Sequence, residues 1–167
     1  YNFEDIAKKE SNEKEGIVKG ADVLVVGGKI KQVSRKSISP PSGARVINAT
    51  GLHLTSGIID EHSHIAISKG VNEGGQAISA EVSIADVVNP DDIDIYRQLA
   101  GGVTAAQLLH GSANPIGGQS ALIKLKWGVS PEEMLIPNAP KFIKCALGEK
   151  VKQANWGDFN TIRFPQT

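Results

Sequence analysis

Cysteine is nearly absent: Cys145 is the single thiol among 167 residues. One thiol cannot close an internal disulfide, so the chain is no oxidatively stapled scaffold. Net charge is missing too, because 18 Lys plus Arg balance 18 Asp plus Glu. Without an excess of positive charge, nothing points to nucleic acid or an anionic membrane as partner. Aromatic residues are scarce at 5%, which removes the stacking platforms that bind single-stranded bases. No apolar run approaches the roughly 20 residues of a membrane span. No leader-like run is visible near Tyr1, and no initiating Met stands there. The compartment therefore stays open between cytoplasm and export. The chain does have apolar material for a packed core, at 40% of residues.

The first third reads as short strands behind a polar start. Residues 1–15 are rich in Glu and Lys and carry no chemistry. Ala21–Val26 is apolar and β-branched, Gly27-Gly28 makes a two-residue turn, and Lys29–Val33 alternates. This is a hairpin signal, since glycine supplies the positive φ of the primed turns. After the Ser39–Gly43 loop, Arg45–Asn48 and Leu52–Leu54 read as two more strands. Residues 1–56 are thus expected to hold a small β-sandwich.

The pattern changes at Gly57. Ile58-Ile59-Asp60 reads as a short buried strand running into Glu61-His62-Ser63-His64. A long glycine-containing loop fills 68–89. Asn89 as cap, Pro90 in the first turn and Asp91-Asp92 at the positive end predict a helix. Ile93, Tyr96, Leu99 and Ala100 recur on its expected apolar face, and Gly101-Gly102 stops it. Strands are expected at 103–109, at 121–126 and around a buried Cys145. Ser130-Pro131-Glu132-Glu133 is a capping box that starts a short helix. Strand, helix and strand alternate over 57–167, which predicts an α/β unit with parallel strands.

His62 and His64 are the strongest chemical feature. Side chains at i and i+2 of an extended backbone share a side, so two imidazoles can reach one metal ion. Neutral imidazole suits zinc and other divalent transition metals. A lone His-x-His is more often a surface turn, but here it ends an apolar strand. Asp60 and Glu61 lie beside it, with Asp60 read as structural rather than ligating. His110–Ser120 follows the 103–109 strand; its His110, Asn114 and Gln119 are candidates to hydrogen-bond a substrate, against an ordinary turn. Trp127 and Trp156 are expected to pack, Lys124 and Lys126 to face solvent, and His53 to be structural.

Three segments together carry a family resemblance: Val23–Ile30, Val46–Gly51 and Ser56–His64. With Gly102–Thr104 and Gln107–Gln119, they resemble the metal-dependent amidohydrolase superfamily, and most closely its imidazolonepropionase-like members. The resemblance implies a β-sandwich beside a (β/α)8 barrel, with His62 and His64 ending the first barrel strand. It implies one or two divalent metals, zinc first among them. A metal-activated water would attack an amide, cyclic amide or related carbon–nitrogen bond of a small molecule.

The resemblance also implies a Lys or Glu on a middle strand, two later histidines and an Asp on the eighth strand. None of these maps onto a residue here from sequence alone. About 110 residues follow Gly57, against the roughly 250 of a complete barrel. The expectation is an N-terminal piece, inactive alone, holding the first strands and helices of the barrel. Three functions stay open: a carbon–nitrogen hydrolase, a deaminase or cyclohydrolase of the same superfamily, or a non-catalytic fragment that self-associates. Open sheet edges favour association, so a homo-oligomer is expected.

Overall fold

A computed structural model describes residues 16–72 and 74–152. The polar stretch 1–15 and Trp156 lie outside the described residues. The chain divides into two compact units, with the boundary between Ser56 and Gly57.

The first unit is built on one hairpin. Strand β1 (Asp22–Val26) pairs antiparallel with β2 (Lys29–Ser34). Gly27 and Gly28 turn the chain at φ 58° and 73°, the left-handed pair that a two-residue turn demands. The ladder shifts between Leu24 and Val25. Val33 is its one fully buried hydrophobic residue among those described. Asp22 extends the hairpin by accepting the Ile38 backbone N–H at 2.9 Å.

The two further strands do not form. Residues 45–48 and 52–54 are without ladder partners, and the expected sandwich reduces to the hairpin among the described residues. Asn48 instead makes a side-chain turn, accepting from the Thr50 N–H at 3.0 Å. A strand gains stability through cross-strand neighbours, and among the described residues these apolar segments have none. Val46 and Leu52 are each 71% exposed.

The second unit is mixed α/β with small sheets. Its elements run β3 (Ile58–Ser63), a 3-10 turn (Ile84–Val87), α1 (Ile93–Ala100), β4 (Val103–Leu108), β5 (Ile116–Gln119), β6 (Ala121–Lys124), α2 (Pro131–Met134), β7 (Ile143–Cys145) and a second 3-10 turn (Glu149–Val151). β3 pairs parallel with β4, and β4 pairs antiparallel with β6. Among the named strands of the described residues, the expected parallel pairing therefore holds for β3 with β4 alone. β5 pairs with β7 in a separate two-stranded sheet, so the region 110–120 is partly strand rather than one loop. Ser130 and Glu133 form the capping box foreseen for α2.

Four local expectations are corrected; the first is the burial of Ile58 and Ile59, which are 56% and 68% exposed. Asp92, not Asn89, caps α1, its side chain accepting from the Asp94 N–H. Asn89 accepts from the Asp91 N–H one turn earlier. The buried stripe of α1 is Ile95 with Leu99 packed beside it, while Ile93 and Tyr96 face outward. Leu99 is thus on the packed face as expected, with Ile95 as its i, i+4 neighbour in place of Ile93 and Tyr96. Cys145 is exposed rather than buried. The core lies around Ala106, Leu108, Ile123 and Met134, with Ala66, Ile84, Val88 and Ile95 against them.

Candidate metal centre

The carboxyl end of β3 carries the histidine pair. Ser63, between the two, is buried, while His62 and His64 are exposed. That alternation is the pleat of an extended strand. The rings stand 5.0 Å apart between centroids and are nearly perpendicular at 83°. Asp60 Oδ1 accepts from the His62 backbone N–H at 3.1 Å, so the carboxylate shapes the strand end.

His64 is oriented by the neighbouring strand. Its Nδ1 lies 2.8 Å from the Leu109 carbonyl oxygen, just past β4. A carbonyl only accepts, so Nδ1 bears the hydrogen and Nε2 keeps the lone pair. The Leu109 N–H donates to the Ser63 carbonyl oxygen at 3.1 Å, which fixes that carbonyl beside the ring. His62 keeps its Nε2 lone pair as well, since Lys144 Nζ approaches it at 3.4 Å. Two Nε2 donors of this kind suit a divalent transition metal. Among the described residues, no group of three or more His, Cys, Asp or Glu could hold a metal. The donor set fits half of such a site.

Lys144 was invisible as a site residue in the sequence. It lies 82 positions from His62 and reaches it from β7. Its only sequence signal was its type, a lysine on a later strand, which the resemblance leads one to expect.

The three substrate-contact candidates sit together in one wall. His110 and Asn114 are buried, and Gln119 is half-buried. Asn114 Nδ2 donates to Ser79 Oγ at 3.0 Å, and Gln119 Nε2 donates to the Ala80 carbonyl at 3.1 Å. Both bonds tie 110–119 to 78–83, which runs parallel beside it through bridges at Ile78–Ile116 and Ser83–Gln119. A Cβ on Gly118 would collide with the His110 ring and the Val82 carbonyl oxygen. Glycine there lets His110 lie flat against the chain. Trp127 packs edge-on to Tyr96 at 5.9 Å, although both remain about half exposed. Lys124 and Lys126 face solvent as expected, and His53 is exposed. No helix among the described residues is long and apolar enough to cross a membrane.

Comparisons with known proteins follow the same lines. No protein-family model matches the chain. It is 35% identical to the amidohydrolase tasK of Hapsidospora irregularis over 80% of this chain and 16% of that protein. It is 30% identical to a dihydroorotase of Geobacter metallireducens, over 62% of this chain and 26% of the relative. A dihydropyrimidinase of Dictyostelium discoideum is 36% identical over 50% of the chain and 14% of its own length. Among solved structures, an amidohydrolase from Thermotoga maritima superposes with a TM-score of 0.70 at 36% identity. That match covers 80% of this chain and 36% of the other. The chain thus spans about a third or less of each protein it matches.

Proposed function

This chain belongs to the amidohydrolase superfamily, and on that premise we propose that it is the N-terminal part of a metal-dependent hydrolase of carbon–nitrogen bonds. The observation that carries the reading is the His62–His64 pair, with the His64 Nδ1 bound to the Leu109 carbonyl so that Nε2 is left as the lone-pair donor. His62 and His64 hold a divalent metal, zinc first among them. When bound, the metal supplies an activated water and polarises the carbonyl under attack. Lys144 completes the near side of the site and stands for the lysine expected on a middle strand. His110, Asn114 and Gln119 form the substrate-side wall, their polar atoms fixing the 110–119 segment beside 78–83.

β3, α1 and β4 are read as the first strand–helix–strand of a (β/α)8 barrel. The histidines then lie at a strand's carboxyl end, where barrel enzymes place their chemistry. A complete catalytic zinc site takes three protein ligands, so the remaining ligands come from the rest of the polypeptide. The 167 residues alone are inactive, and their unpaired edges associate with further copies in a homo-oligomer. The substrate is a small molecule with a carbon–nitrogen bond. The relatives named dihydroorotase and dihydropyrimidinase favour a cyclic amide over a deaminase substrate.

The test is metal analysis of the full-length protein beside its His62→Ala/His64→Ala double variant. Bound zinc is expected to fall by at least one ion per chain, with hydrolysis of dihydropyrimidine-type rings lost. Unchanged metal content would sink the reading. Zinc loss paired with activity on amino-heterocycles, and none on cyclic amides, would replace the hydrolase with a deaminase.

A further inference from the structure

We propose that Asp92 is a positioning residue for His64, acting through the backbone of Ala66; the inference rests on the metal-site reading above. Ala66 follows His64 by two residues and adopts φ 55°, a left-handed conformation that residues with a Cβ rarely enter. It is also fully buried, so water is not available to its N–H, which needs a partner in the protein. Asp92 Oδ2 accepts that N–H at 2.7 Å. The other oxygen, Oδ1, accepts the Asp94 N–H at 3.0 Å and caps α1. A carboxylate is the short side chain with two acceptor oxygens and no donor, so it suits a place between two N–H groups on two elements. Its charge shortens and strengthens both bonds.

Two backbone bonds complete the clasp. The Asn89 N–H donates to the Ala66 carbonyl at 2.8 Å, and the Ser68 N–H donates to the Val87 carbonyl at 2.9 Å. The exit of β3 is thereby fastened to the start of α1, whose far end leads into β4. His64 is then restrained twice. Its ring is held by Leu109 beyond β4, and the chain two residues on is held at Ala66 by Asp92 before α1. Without the second oxygen of Asp92, Ala66 relaxes towards ordinary φ, and the His64 ring turns away from Leu109 and from His62.

The experiment uses the full-length protein stripped of metal. Asp92→Ser keeps a capping oxygen for α1 and gives up the Ala66 bond. The readouts are the 15N shifts of the His64 ring, which report its tautomer, and titration with Zn²⁺ alone. Asp92→Ser is expected to replace one Nδ1–H tautomer with a mixture and to weaken Zn²⁺ binding about tenfold, the lower range for orienting partners of metal ligands. Adding Ala66→Gly is expected to recover part of the affinity, because glycine holds a positive φ unaided. A merely structural Asp92 would lower stability and leave the tautomer unchanged. Where Asp92→Ser fails to fold, Asp92→Asn, with one acceptor retained, takes its place. His64→Ala separates the two readings. If it leaves Zn²⁺ binding intact, the metal site itself is refuted. If it abolishes binding while the Asp92 variants keep the tautomer and affinity, the Asp92 proposal alone is overturned.

Discussion

The two units differ in what their apolar residues touch. In the second unit, Leu108, Ile123 and Met134 are fully buried within one cluster. In the first, Val46, Ile47, Leu52 and Leu54 carry as strong a hydrophobic signal yet are each more than 60% exposed. Composition does not separate them. Pairing does: β3 and β4 are joined through a helical crossover, whereas segments 45–48 and 52–54 meet no strand among the described residues. A β-strand is a shared structure, so its sequence signal is a request for a partner rather than a property of the segment.

Three substitutions sharpen this contrast. Leu108→Ala is expected to have the largest effect, destabilising the chain by about 2–5 kcal/mol through lost burial and a residual cavity. Urea unfolding measures it, and a change under 1 kcal/mol would break the contrast from the packed side. Gly118→Ala comes next, at about 1–3 kcal/mol, because the new methyl meets the His110 ring and the Val82 carbonyl. A neutral result in thermal unfolding would show that this wall yields easily. Ile47→Ser is expected to shift the chain by no more than about 0.5 kcal/mol, as an exposed position does. In the longer protein the same change should cost about 1.5–3 kcal/mol if a further strand covers Ile47. Equal, small effects in both would show that the segment stays open.

What was legible in the sequence was what neighbouring residues decide. Gly27-Gly28 fixed the hairpin turn, the Ser130–Glu133 box started α2, and the i, i+2 spacing put both imidazoles on one side of β3. What was hidden depended on distance along the chain. Asn89 looked as good a cap as Asp92, and the choice follows from Ala66, 26 residues earlier, needing an acceptor. Lys144 reaches His62 from a strand whose place no local pattern defines. Cys145 was expected inside because thiols usually are, but the two-stranded β5–β7 sheet leaves that side open. The helix face was misplaced for a different reason. Periodicity fixes spacing, not phase, and Tyr96 lost to Ile95 once the position of the sheet was known.

The alternation at the end of β3 also makes the histidines a gauge of strand alignment. Ser63 is matched to Leu108 across the parallel ladder and points inward. A slip of one residue would turn Ser63 outward and send both imidazoles into the apolar interior, where two polar rings would lack partners. The two histidines would thus disfavour a misaligned β3–β4 pairing while the chain folds.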